Sequence, residues 1–389
     1  MTDTVPGPLS GVLVADFSRI LAGPYATMLL ADLGADVVKV EGPGGDDTRT
    51  WTPPSRGEVS TYYLGVNRGK RSIALDLRDE ADAGVARELA ARADVLVENF
   101  RPGGLGKYGL DYASVRAANP GIVYASISGF GSGAGARVPG YDLMVQAMSG
   151  LMSLTGDPDG PPYRAGISVF DVMAGNHAVI GILAALRHRE ATGSGQHVEV
   201  NLMSSALTGL VNQSSAYVAG GVVPYRMGNA HPSVFPYEPL PTADHELIVA
   251  AANDGQFRKL CEVLGIPEVA EDPRFARNAG RTANREELRP ILVERLVLRS
   301  ADEWFELLVE AGVPSGPINT IDGGFAAAER FGLDPVVVVG EGERAMPTTR
   351  HPIRFSETPA AYTLPPPELD EHGAELRKWL TGPGEGERT

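Results

Sequence analysis

Cysteine is almost absent: Cys261 is the single thiol in 389 residues. One thiol allows no intrachain disulfide and no cysteine metal cluster, a composition suited to a reducing compartment. The sequence opens without a basic stretch followed by an apolar one, and nowhere do eighteen apolar residues run together, so neither a secretory leader nor a membrane span is expected. Positive charge is also scarce, with 34 Lys and Arg against 49 Asp and Glu and a net charge of −15. A surface that acidic repels phosphate backbones and anionic lipid unless its cations are gathered locally. These shortages predict a cytoplasmic protein that binds neither nucleic acid nor membrane. No G-x-G-x-x-G follows the first strand, no glycine loop ends in a P-loop lysine, and there is no H-E-x-x-H. Nicotinamide and nucleoside triphosphate binding lose most of their support. The seven histidines show no metal-ligand spacing with carboxylates, so no metal is expected.

What is present is ordinary globular material, 43% apolar and 21% charged, long enough for two or three domains at about 150 residues each. Val12–Phe17 and Asp36–Glu41 are short apolar runs of the kind that buried parallel strands show. Between them Pro24–Leu33 reads as a helix, with Pro24 near its start and Gly34 placed to end it. Strand, helix and strand make a βαβ unit, which crosses over right-handed and implies a parallel sheet. The alternation continues with a strand at Ser72–Leu77, a helix at 79–91, and strands at Val95–Val97 and Ile122–Ile127. A helix at 171–189 and a strand at His197–Leu202 complete the pattern. The fold class is α/β: a large Rossmann-like domain over 1–224, a smaller α+β domain over 225–325, and a tail over 326–389 that returns to the large domain. Within the tail, Val336–Val339 and Pro352–Phe355 read as strands.

Ligands in such sheets sit beyond the carboxyl ends of the strands, which directs attention to three exits. Ile20–Pro24 has small residues that admit a ligand to the backbone, and the helix after it offers free amides to an anion; a plain tight turn is the simpler account. Glu98–Gly103 places an amide, an aromatic ring and a cation in series near Lys70, Arg71, Arg78, Arg101 and Lys107. That cluster suits a phosphate-bearing small ligand, with scattered solvated cations as the alternative. In Gly166–Gly175, Asp171 opens a helix, where aspartate is a preferred N-cap. The chemical alternative is a carboxylate nucleophile, kept ionised by the helix's free amides and given room by Gly175.

Taken together the segments resemble the family III CoA-transferases over nearly the whole chain. The motifs that carry the resemblance are Val14–Phe17 with Ala22-Gly23-Pro24, Leu30–Glu41, Lys70–Ile73, Val97–Gly103, Gly140-Tyr141-Asp142, Asp171 with Gly175, Gly181–Leu186, Gly228–Pro232 and Pro365–Leu369. The resemblance implies two interlocked protomers, each with a Rossmann-like large domain built from both chain ends. It implies an activity that moves coenzyme A from an acyl-CoA to a carboxylic acid through aspartyl mixed-anhydride and aspartyl-CoA thioester intermediates. Asp171 falls on the family's catalytic aspartate, while Leu75, Arg78, Asn99, Phe100, Lys107 and Arg137 fall on or near positions that contact coenzyme A. Leu21, Ala22, Gly23, Tyr141 and His231 fall on the lining of the active site. The formyl-CoA enzymes carry glutamine where Leu21 stands and a glycine run where His231–Tyr237 stands, a departure that weakens oxalate as acceptor. The 2-methylacyl-CoA racemases share the scaffold but carry histidine in place of Tyr141 and glutamate in place of Asp254. A racemase needs a base of suitable pKa on each face of the α-carbon, and tyrosine near 10 substitutes poorly. A dehydrogenase and a non-catalytic acyl-CoA binder are the remaining alternatives.

Overall fold

A computed structural model describes residues 6–382. Its packing divides the chain into two units, one comprising the chain up to Leu151, Ala165–Val222 and everything from Asp334, the other Met152–Arg164 and Val223–Leu333. The short segment Met152–Arg164 thus joins the second unit, an attachment that the reading of 225–325 does not include.

Along the first unit run β1 (Leu13–Asp16), α1 (Ala22–Asp32), β2 (Asp36–Glu41), α2 (Thr61–Val66), β3 (Lys70–Ala74), α3 (Glu80–Arg92), β4 (Val95–Glu98), α4 (Tyr112–Ala118) and β5 (Val123–Ser128). There follow α5 (Asp142–Met148), α6 (Val169–Thr192), β6 (Gln196–Asn201), α7 (Leu202–Gly209) and α8 (Val211–Val218). The six strands form one sheet in the order β3-β2-β1-β4-β5-β6, every pair parallel. This is the doubly wound Rossmann order, in which the direction of winding reverses between β1 and β4.

Strand alternation builds both layers. Val14, Val37, Val95, Val97, Val123 and Ala125 face one core with α1 and α6, whereas Ala15, Val38, Ile73, Leu96 and Tyr124 face a second core with α3. Each fully buried Val or Leu contributes about 1.5–3 kcal/mol, which is why the strands read as continuous apolar runs. At 24 residues α6 is long and apolar enough to cross a membrane by length and composition. It lays Phe170, Ala174, Ala178, Ile182 and Ala185 into the first core. A Cβ at Gly175 would come within 2.8 Å of the Ala22 carbonyl oxygen, so glycine lets α6 and α1 touch.

The segment from Asp334 is stitched to the same unit. Gly69 N–H donates to the Leu364 carbonyl at 2.8 Å, Ala361 N–H to that of Asp32 at 2.8 Å, and His372 N–H to that of Ser72 at 3.0 Å. Beneath them Arg68 grips Asp32 with Nε at 2.9 Å and Nη2 at 2.6 Å, and His351 Nδ1 lies 3.2 Å from the same carboxylate. The strand expected at Pro352–Phe355 is irregular here. Val336–Val339 instead pairs antiparallel with Met346–Thr349, because the tight turn at 340–345 brings that segment opposite first.

In the second unit a three-stranded sheet runs Ser315–Pro317, Glu246–Ala250, Tyr237–Pro241, with helices including Asp254–Leu264, Arg285–Leu296 and Ala301–Glu310 around its own core. Both outer strands contain proline, which a sheet tolerates only at its edges. Arg68→Met should leave Asp32 buried without its bidentate partner and cost about 3–5 kcal/mol. A urea unfolding midpoint unchanged from the parent would contradict that role.

Candidate active site

The reversal of winding between β1 and β4 leaves a crevice at their carboxyl ends, and a cavity of about 380 Å³ lies there. Arg19–Ala22 after β1, Asn99–Pro102 after β4 and Ile127–Gly131 after β5 line it, with Pro139–Tyr141 and Asp171. Of the residues singled out in the sequence, Leu21, Ala22, Asn99, Phe100, Tyr141 and Asp171 are therefore brought together.

Asp171 does not cap α6. It is the third residue of the helix, Ser168 stands at the N-cap position without a side-chain cap bond, and the work of capping comes from another element. Asp142, at the start of α5, accepts the Phe170 N–H at 2.7 Å and the Asp171 N–H at 3.1 Å through Oδ2. Gln146, one turn further along α5 and fully buried, donates from Nε2 to the other Asp142 oxygen and, at 3.1 Å, to the Ile167 carbonyl. Its Oε1 accepts the Ala165 N–H at 2.8 Å. The helix amides expected to keep Asp171 ionised are thus taken by a neighbouring carboxylate. Burial first, and then the negative charge of Asp142, push the Asp171 carboxyl up to about 7. A group poised there can work at neutral pH as a nucleophile or as a proton carrier.

Asn99 uses its amide to lock two strand exits together. Its Oδ1 accepts the Arg19 N–H at 2.8 Å and its Nδ2 donates to the Arg19 carbonyl at 2.6 Å. Phe100 is held by its own N–H, 2.8 Å from Glu98 Oε2, and lies under the Arg19 guanidinium at 5.3 Å. Arg101 lines the cavity and donates to the Arg137 carbonyl at 3.0 Å. The first turn of α1 has no side-chain cap; Ala22 lines the cavity, whereas Gly23, expected there, is buried behind it and is not part of the lining. A Cβ at Gly23 would collide with Ser18.

Other expected residues lie elsewhere. Leu75 is buried in the second core, Arg78 is exposed and paired with Asp76 at 2.8 Å, and Lys107 is exposed beside the Tyr108 ring. Arg137 adjoins the cavity wall through its neighbours Ala136 and Val138. His231 belongs to the second unit, where its Nδ1 accepts the Ser233 N–H at 3.0 Å and its ring tilts against Tyr237 at 5.2 Å. The expected cation cluster is smaller than it looked. Lys70 is wholly buried against Asp16, and Arg71 is paired with Asp36.

One neighbour of Asp171 escaped the sequence reading. Tyr62 on α2 has its hydroxyl hydrogen-bonded with Ser168, and burial followed by the charge of Asp171 pushes it to about 12. Trp51 meets the Tyr62 ring edge-on at 5.5 Å. No local spacing signals a contact made across more than a hundred residues.

In comparison with known proteins, residues 9–373 match the family described as CoA-transferase family III. The chain belongs to CoA-transferase family III. It is 46% identical over 379 residues to the succinate–glutarate CoA-transferase of Agrobacterium fabrum, covering 95% of this chain and 94% of that protein. It is 41% identical over 395 residues to the acetyl-CoA:oxalate CoA-transferase of Acetobacter aceti, covering 98% and 99%. Among solved structures, a CaiB/BaiF family protein from Brucella suis superposes with a TM-score of 0.86 at 45% identity, covering 96% of this chain and all of that one. The protein is an enzyme of the CoA-transferase type, and its six-stranded sheet is the family's.

The raised carboxyl of Asp171 has a measurable consequence for stability. Its folded pKa lies above the unfolded value of 3.8, so the proton it holds favours the fold at low pH, and that contribution fades as pH rises toward about 7. Asp171→Asn removes the ionisation, so the variant should gain on the parent between pH 4 and 7 by up to about 1.4 kcal/mol per pH unit. Parallel melting-temperature curves across that range would refute the environment assigned to Asp171.

Proposed function

We propose that this family member moves coenzyme A from an acyl-CoA to a dicarboxylic acid, with Asp171 as the nucleophile. The observation that carries the reading is the Asp171 carboxylate at the head of α6, opening into the cavity at the sheet's switch point beside the uncapped start of α1. A carboxylate oxygen attacks the thioester carbonyl carbon, the C–S bond breaks, and an aspartyl mixed anhydride and CoA thiolate result. The thiolate attacks the aspartyl carbonyl, the donor carboxylate leaves, and CoA is held on Asp171 as a thioester. The acceptor carboxylate runs the two steps in reverse. No proton is gained or lost on the way, which fits a lining whose titratable groups are Asp171, Tyr141 and two arginines.

The pKa of Asp171 near 7 also directs the anhydride. Against a donor acid of ordinary carboxyl pKa near 4, the donor is the weaker base and the better leaving group. Thiolate attack at the aspartyl carbonyl is therefore the favoured opening. In this reading the free amides at the uncapped start of α1, beginning with Ala22, hold the developing oxyanion, a contribution of about 3 kcal/mol per donor. Arg19 and Arg101 give the cavity the positive charge that a dianionic acceptor requires, and succinate, glutarate and oxalate, named for the relatives, are all dicarboxylates. Coenzyme A would extend past Phe100 toward the exposed Arg78 and Lys107, with Arg137 beside it and Leu75 in the core beneath. A racemase is not favoured, because Tyr141 stands where a second base is needed and the family relatives described above are transferases.

Transfer from a panel of acyl-CoA donors to C2–C5 dicarboxylic acids, read by mass spectrometry, should show turnover that rises through about pH 7. Asp171→Asn should abolish it, since an amide cannot form the anhydride. Hydroxylamine should label a peptide containing Asp171 when the enzyme meets donor alone; near-normal turnover of the variant, or label on another carboxylate, would sink the proposal.

The same reading includes an interlocked homodimer. Ile180 and Leu183 on α6, Leu207 on α7, and Val211, Tyr217 and Val218 on α8 form an exposed apolar set within the first unit, and a second copy of the chain would cover it. Sedimentation should give a dimer at micromolar concentration, and Ile180→Glu with Val218→Glu should lower the dimer fraction. An active monomer would contradict the assembly.

A further inference from the structure

Behind the wall formed by residues 18–21 lies a group of charges that the chemistry above does not use. Asp16, Lys39 and Lys70 are entirely buried and Asp46 nearly so. Lys70 Nζ donates to Asp16 Oδ2 at 3.1 Å, to the Pro24 carbonyl at 2.9 Å and to Asn67 Oδ1 at 2.9 Å. Asp16 accepts the Ser18 N–H at 3.0 Å and the Thr27 hydroxyl at 2.6 Å. Lys39 Nζ donates to the Ser18 carbonyl at 3.0 Å and to Asp46 Oδ2 at 3.0 Å. Asp46 in turn accepts the Ile20 N–H, at 3.2 and 3.3 Å to its two oxygens, while Oδ1 also takes the Thr48 N–H and hydroxyl. Three of these contacts end on the segment Ser18–Leu21: the Ser18 N–H on Asp16, Lys39 on the Ser18 carbonyl and the Ile20 N–H on Asp46.

The backbone shows what is being held. Ile20 has φ of +69°, a left-handed conformation that a β-branched residue adopts only when its surroundings impose it. Replacing a buried ion pair with apolar side chains is often neutral or stabilising, so stability alone does not account for keeping two lysines and two aspartates here. Ile20 directly precedes Leu21 and Ala22, which line the cavity with Asp171.

We propose that the buried Lys39–Asp46 pair is a positioning device, holding Ile20 in its left-handed conformation so that Leu21 and Ala22 at the start of α1 keep their place in the cavity opposite Asp171. The proposal rests on the reading of this cavity as the reacting site. Lys39 fixes the loop by the Ser18 carbonyl and Asp46 by the Ile20 amide, so the segment is clamped from both sides of Arg19.

Asp46→Asn tests it, because an amide NH₂ in place of Oδ2 would face two donors, Lys39 Nζ and Ile20 N–H. The variant should lose kcat by roughly 10²-fold, the scale of a misplaced reacting group, with the KM for acyl-CoA changed far less. Asp46→Asn/Ile20→Gly should regain most of the lost kcat, since glycine holds a positive φ without the clamp. Unchanged kcat in the single variant, or no recovery in the double one, would overturn the proposal. Should Asp46→Asn not fold, Ile20→Gly and Ile20→Ala decide the matter: both delete the side chain, and glycine should melt higher only if the left-handed conformation is imposed. Alanine melting equal or higher would overturn it. Parent enzyme assayed alongside, with hydroxylamine labelling at Asp171, separates the two ideas: an inert, unlabelled parent refutes the transferase reading, whereas an active parent with an unaffected Asp46→Asn variant refutes the clamp alone.

Discussion

A single carboxylate, Asp142, fixes the arrangement around the candidate nucleophile. By accepting the amides of Phe170 and Asp171 it sets where α6 begins, and through Gln146 it also holds the segment leading into that helix. The placement has two effects that pull in different directions. Capping a helix with an acidic group is favourable, since the helix start carries a partial positive charge. Burial already weakens the acidity of Asp171, and the Asp142 charge set beside it weakens that acidity further. The contact that places α6 therefore also adds to the reactivity that burial gives Asp171.

The sheet was legible because its causes are local. Asp36–Glu41 reads as a strand to the residue, its apolar run matching a strand buried on both faces. The strand Tyr237–Pro241 was not legible, since Pro239 and Pro241 argue against a ladder unless the strand is known to lie at an edge. Asp171 could be picked out as a special position but not described correctly. An aspartate near a helix start predicts a cap, and nothing in the spacing says that Asp142, 29 residues earlier, already fills that place. Lys70 shows the same limit: composition assigns lysine to the surface, and only tertiary structure supplies the three oxygens that satisfy it inside.

Charge in this protein is segregated by use. The net −15 lies over the chain as a whole, while Arg19 and Arg101 line the cavity and the two buried lysines are balanced by Asp16 and Asp46. Cations lining a cavity in a mostly acidic protein create a local attraction for anions against a general repulsion. Asn99 complements this without any charge, since its amide ties the segments leaving β1 and β4 together across the switch point.

The stitching of the late segment onto β3 and α1 bears on how the protein is made. Gly69 and Asp32 find their partners in Leu364 and Ala361, so the early part of the chain leaves the ribosome well before the irregular segment that covers it exists. At about 5–20 residues per second, the nascent sheet waits tens of seconds with that edge uncovered. The second unit, by contrast, has nearly all of its residues in one stretch and its own core. Order of synthesis thus lets the inserted unit finish first and leaves the unit that carries Asp171 to close last.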